Sequence, residues 1–278
     1  MDEPKLQKES HVKLGKGESV ELKYIKFKIE DGVGRIQFNR PEKLNAVNPD
    51  VLKELETAVE SCEGNDDIRV VVLTGNEKAF IAGADIENMA KGDIKNAYKL
   101  TDLTLRVQER LADLSKPTIA SISGYALGGG CELALCCDFR IAADNAMLGL
   151  PEITLGIIPG GGGTQRLPRL VNLGAAARMI LLGEMIKAKE AQEIGLVDKV
   201  VSFDELENET QKWVAKLKKK PALAVRAAKT AMRKGLSTSL KEGLQIEQDL
   251  FCMLFGTEDQ KEGMAAFMEK RKAVFKGR

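Results

Sequence analysis

A single histidine, His11, stands in 278 residues, inside a charged opening stretch, MDEPKLQKESHVKLGKGESV. Its isolation excludes a Ser-His-Asp triad, a Cys-His dyad or a histidine-rich metal centre in the body of the protein. Acids and bases there must be Asp, Glu, Lys, Tyr, Cys or water. The five cysteines, Cys62, Cys131, Cys136, Cys137 and Cys252, are odd in number and form no CxxC pair. Neither a disulfide framework nor a zinc site is expected, and the thiols read as reduced core residues. No apolar run approaches the ~20 residues of a membrane span. Residues 1–20 lack the apolar segment of a signal peptide, so a flexible, solvated tail and a cytoplasmic location are expected. Excess charge is missing too. With 42 Lys+Arg against 41 Asp+Glu there is no global field for nucleic acid.

Apolar residues make up 44% of the chain, enough for a substantial core. ELKYIKFKIE (21–30) alternates apolar and polar residues, and DGVG turns it into RIQFN (35–39), a hairpin pattern. NPDVLKELETAVESC (48–62) is an amphipathic helix behind an Asn/Asp start. RVVVLTG (69–75), PTIASISG (117–124) and FRIAAD (139–144) read as strands, with a helix over about 95–114 and a short apolar one after Gly130. From about residue 165 the texture becomes helical. Helices are predicted over 175–195, 203–220, 221–235, 239–256 and 258–275, with KVVS (199–202) as the one interrupting strand. The fold class is α/β, with a mixed front and a helical end.

Three small-residue stretches lie at the ends of predicted strands: AFIAGADI (79–86), GYALGGGCE (124–132) and LPEITLGIIPGGGGTQR (150–166). Neither glycine cluster matches a nucleotide fingerprint. Leu133 breaks GxGxxG, and no Lys follows Gly160–Gly163. Another use of glycine fits better. Small residues admit a ligand close to the backbone, and the first N–H groups of a helix have no internal acceptor. A helix opening at Gly128–Gly130 would point those N–H groups at a ligand oxygen. A second donor from AGAD would complete an oxyanion hole. Taken alone, this stretch also reads as tight helix–strand packing, with Glu132 favouring the helix dipole. Glu152 weighs toward chemistry. It lies among apolar residues where a solvated charge is not expected, and two carboxylates suit acid/base work where no histidine is at hand.

Five ordered motifs, NRPEKLNAVN (39–48), AFIAGADIENM (79–89), GYALGGGCELALCCDFRIA (124–142), PEITLGIIPGGGGTQRLPRLV (151–171) and FMEKRKAVFKGR (267–278), resemble the enoyl-CoA hydratase (crotonase) superfamily from about residue 21 onward. The resemblance implies a spiral of ββα units over 21–215, carrying the site, and a helical trimerisation region over 216–278. Two stacked trimers would make a homohexamer. It implies that Ala84 and Gly129 donate the oxyanion-hole N–H groups to a thioester carbonyl. Glu132 and Glu152 would hold and activate water that adds to trans-2-enoyl-CoA, Glu132 mainly as base and Glu152 as acid at the α-carbon. Gly160 would help position that water. Lys43, Leu44, Ala46, Ala82 and Ile86 would line the CoA cleft, and Phe267 and Lys270 would reach the adenine and phosphate from a neighbouring subunit. Glu87 departs from the pattern, since many relatives carry a basic residue there. No metal and no separate cofactor is implied; coenzyme A enters as part of the substrate. Dienoyl-CoA hydration or double-bond isomerisation is the alternative within the superfamily, with a non-catalytic CoA- or RNA-binding relative the distant one. Neither nucleic acid nor membrane is expected as a partner.

Overall fold

The computed structural model describes residues 19–278, so His11 and residues 1–18 of the expected tail lie outside the described residues. The rest of that tail is in a strand. β1 (Ser19–Glu21) pairs antiparallel with β2 (Ile25–Glu30), and β2 with β3 (Val33–Phe38). β2 buries Ile25, Phe27 and Ile29 and exposes Lys26, Lys28 and Glu30, the period of two in its sequence. Asn48 caps α1 (Pro49–Glu63) by accepting the Val51 N–H at 2.9 Å. α1 then buries Val51, Leu52, Leu55 and Val59, one face of a 3.6-residue period.

Three successive units follow. The first is β4 (Val70–Thr74), β5 (Ala79–Ile81), α2 (Ile86–Met89) and α3 (Ile94–Ala112). The second is β6 (Thr118–Ile122), β7 (Tyr125–Leu127) and α4 (Gly129–Cys136). The third is β8 (Phe139–Ala143), β9 (Met147–Gly149), α5 (Gly163–Leu170) and α6 (Leu173–Leu181). β10 (Met185–Lys187), α7 (Ala188–Glu193) and β11 (Lys199–Val201) come next. The first strand of each unit enters a seven-stranded sheet of order β1-β2-β3-β4-β6-β8-β11, and the second a four-stranded sheet of order β10-β9-β7-β5. This is the ββα spiral that the resemblance implies.

β4 sends Val71 and Leu73 into the larger core, shared with α1, α3 and α4, and Val70 and Val72 into a smaller one. The smaller core is closed by Leu206 and Val214 of α8 (Phe203–Lys218). α8 therefore belongs to the core, and the boundary expected at 215/216 falls inside it. The first helix wholly beyond that boundary is α9 (Ala222–Gly235), followed by α10 (Leu240–Leu254) and α11 (Glu258–Met268).

Two other expectations change. The helix expected over 175–195 is interrupted by β10, because Gly183 takes a left-handed φ of 67° just past the end of α6. The last helix stops at Met268 instead of 275, and Lys270 has a left-handed φ of 55°. Among the described residues, no helix is long and apolar enough to cross a membrane.

Candidate active site

β5, β7 and β9 are parallel neighbours, with Ile81 opposite Ala126 and Leu127 opposite Gly149. Their C-terminal ends are therefore level. The three segments that leave them carry Ala84, Gly129 and Glu152 into one cavity of about 770 Å³. Its wall is mostly apolar, with Leu100, Leu133, Leu155, Ile157 and Ile158 among its members.

The segment after β5 is held by NRPEKLNAVN. Asn45, buried and at a left-handed φ of 59°, donates from Nδ2 to the carbonyls of Ala79 and Phe80. The Val47 N–H donates to Gly83 C=O and the Asp85 N–H to Val47 C=O, both at 2.8 Å. Ala84 lies between these two bonds, so its own N–H is turned away from Val47 toward the cavity that Ala84 lines. Asp85 is locked by Arg40 Nη2 at 2.8 Å in a nearly buried pair. Gly129 is the first residue of α4, and its N–H has no intrahelical acceptor. Gly130 must be glycine for packing, because a Cβ there would fall 2.1 Å from the Ile81 carbonyl oxygen.

Glu132, in the first turn of α4, is only 3% exposed. Its Oε1 accepts the N–H groups of Gly161 and Gly163, each at 2.8 Å. Burial pushes its pKa above the ordinary value, while those two N–H groups and the Arg166 charge pull the other way. Glu152 stands on a 3-10 turn (Pro151–Leu155). Its Oε2 is buried without a hydrogen-bond partner among the described residues. Burial first, and the Glu132 charge second, push its pKa up to about 7. Gly160 lines the cavity beside Thr101, but the N–H groups on Glu132 come from its neighbours Gly161 and Gly163.

Sequence reasoning passed over two residues. Arg166 donates from Nη1 to Gly161 C=O at 2.8 Å and to Gln108 Oε1 at 3.0 Å, and Gln108 is 1% exposed in the cavity wall. A signal was present. Gln108 falls between Val107 and Leu111 on the buried stripe of α3, where the period calls for an apolar side chain.

The expected CoA residues are only partly drawn together. Ala82 and Ile86 line the cavity. Leu44 C=O accepts the Ala82 N–H at 3.0 Å, which ties Lys43, Leu44 and Ala46 to the rim without placing them in the wall. The Lys43 ammonium pairs with Glu87 at 3.1 Å, so the departure at position 87 engages a lysine expected to line the CoA cleft. Phe267, 85% exposed, and Lys270 lie outside the cavity wall of their own chain. Cys131 is buried beside Glu132, and burial pushes its thiol up to about 12, which leaves no nucleophilic thiolate. Cys252 is exposed, unlike the other four cysteines. Among the described residues, no group of three or more His, Cys, Asp or Glu is placed to share a metal ion.

Residues 28–278 match the family model described as enoyl-CoA hydratase/isomerase. The chain is 46% identical over 247 residues to a crotonyl-CoA hydratase of Syntrophomonas wolfei, covering 88% of this chain and 95% of that protein. It is 44% identical over 254 residues to a short-chain-enoyl-CoA hydratase of Clostridium acetobutylicum, covering 91% and 97%. Among solved structures, an enoyl-CoA hydratase from Bacillus anthracis superposes with a TM-score of 0.88 at 41% identity, over 92% of this chain and all of that one.

Proposed function

The chain belongs to the enoyl-CoA hydratase/isomerase family, and we propose that it adds water across the double bond of a trans-2-enoyl-CoA to give 3-hydroxyacyl-CoA. One observation carries the reading. A buried carboxylate, Glu132, and a half-buried one, Glu152, both with raised pKa, face the same apolar cavity as two backbone N–H groups. The Ala84 and Gly129 N–H groups receive the thioester carbonyl oxygen. Negative charge grows on that oxygen as the enolate forms, so the donors bind the transition state more tightly than the ground state.

Glu132, with Oε1 held by two N–H groups, offers Oε2 to water and removes a proton as the water oxygen bonds to the β-carbon. Electrons of the double bond move to the α-carbon and carbonyl oxygen. Glu152, whose pKa raised to about 7 keeps a protonated fraction at neutral pH, delivers a proton to the α-carbon. The cycle closes when the proton gained by Glu132 returns to Glu152. No step calls for a metal or redox group.

The same proposal includes a homo-oligomer built on the C-terminal helices, in which Phe267 and Lys270 reach a neighbour's CoA, and a cytoplasmic setting for the enzyme. Loss of enoyl-thioester absorbance over a panel of enoyl-CoAs tests the chemistry. The wild type should consume at least one, and Glu132→Gln and Glu152→Gln should each lower kcat by about 10²–10⁴-fold. Full activity in either variant overturns the two-glutamate scheme.

A further inference from the structure

Gln108 has a fixed orientation. Its Oε1 faces Arg166 Nη1 at 3.0 Å and the Cys136 thiol at 3.7 Å. Arginine is donor-only, so the amide oxygen must be the atom toward it. The NH₂ group is thereby turned the other way, into the wall of the cavity. Gln108 Nε2 makes no hydrogen bond with another described residue, and it is not among the sealed, unpartnered atoms. It is therefore an aimed donor that opens on the cavity.

Gly161 fixes how close that donor comes to Glu132. A Cβ built on that glycine would lie 2.5 Å from Gln108 Nε2 and 2.5 Å from Glu132 Oε2. Nε2 and Oε2 therefore lie no more than about 5 Å apart, a span that a single water can bridge from the cavity side. Glu132 Oε1 is already occupied by the Gly161 and Gly163 N–H groups, so Oε2 is the oxygen left to act. A small molecule between Oε2 and Nε2 would donate to the first and accept from the second. Water can do both, and so can the hydroxyl it becomes.

We propose that Gln108 is a third polar group of the water site, donating through Nε2 to the oxygen that adds to the β-carbon, with Arg166 as the positioning residue that fixes the amide. A neutral donor leaves Glu132 its charge, whereas a carboxylate at 108 would repel it. Arg166 acts on both partners at once, because it also holds the Gly161 carbonyl at 2.8 Å. Ordering the water rather than the thioester predicts an effect on turnover and not on acyl-CoA binding. The inference rests on the hydration reading above.

The experiment compares wild type, Gln108→Leu and Gln108→Glu by kcat and KM on the enoyl-CoA that the wild type hydrates. Butyryl-CoA, which has no double bond to hydrate, serves as a binding probe. Gln108→Leu should lose about 10- to 100-fold in kcat, the worth of one hydrogen bond to a reacting group, with KM and butyryl-CoA affinity within about twofold. Gln108→Glu keeps the shape and the Arg166 contact but replaces the donor with an acceptor. It should fall at least as far, and it serves alone if the leucine variant does not fold. Full kcat in either folded variant, or a parallel loss of butyryl-CoA binding, overturns the proposal. A wild type that binds butyryl-CoA but hydrates no enoyl-CoA would instead remove the hydration reading, and this proposal with it.

Discussion

Two glutamates in one cavity are assigned different work by their surroundings. Glu132 has two N–H groups on one oxygen and a nearby guanidinium, which favour its ionised form. Glu152 has a buried oxygen with no hydrogen-bond partner among the described residues, which favours its neutral one. Rate should therefore be bell-shaped in pH. kcat/KM should fall above about 7 as the acid Glu152 ionises, and fall again at low pH as the base Glu132 takes up a proton. The two limbs belong to the coupled pair. Stability carries the same sign. A carboxyl whose folded pKa is raised from 4.5 to about 7 loses folding free energy as pH rises through that window. Glu152→Gln should melt above wild type at pH 8 and lose that advantage at pH 5, as thermal unfolding followed by circular dichroism would reveal. At this scale the sequence was legible where a residue broke its context, as Glu152 does among apolar neighbours. Gln108 broke its context too, but its meaning depends on Arg166, 58 residues away, a partner that local pattern cannot supply.

α4 shows how one short element combines packing and chemistry in consecutive glycines. A Cβ on Gly130 would strike the backbone of Ile81, whereas a Cβ on Gly129 would meet nothing within 4 Å. The two alanine variants should therefore separate the roles. Gly130→Ala should destabilise the fold by about 1–3 kcal/mol or more, since backbone cannot yield as a side-chain tip does. Gly129→Ala should unfold at the wild-type urea midpoint yet lose substrate affinity and turnover, because its methyl enters the space the thioester needs. Equal midpoints for the two would refute the division. Element types were mostly readable from periodicity, as α1 and β2 show. β10 was not. Its residues MIK sit within a continuous helical pattern, and pairing with β9 outweighs helix propensity once Gly183 has ended α6.

Across the whole molecule, the C-terminal helices leave apolar surface uncovered. α10 has no buried residue, and Leu240, Leu244, Phe251 and Met253 are exposed along it. On a 15-residue helix packed against α9, exposed apolar side chains of this size call for a further covering surface. The proposed assembly should run, in light scattering coupled to gel filtration, at three or six times the 30.4 kDa chain mass. Phe251→Asp should shift it toward the monomer; a wild-type monomer at micromolar concentration would refute the assembly. What the sequence determined by itself was the inventory. A single histidine near the start of the sequence, two glutamates in apolar settings and three small-residue loops point the chemistry toward carboxylates and backbone N–H groups. Those are properties of residue type and local spacing. Convergence was decided only by tertiary structure. Ala84, Gly129 and Glu152 come from three different units, and they meet because β5, β7 and β9 are adjacent and end level in the smaller sheet. That order comes from long-range hydrogen bonding between strands, which no window of local sequence contains.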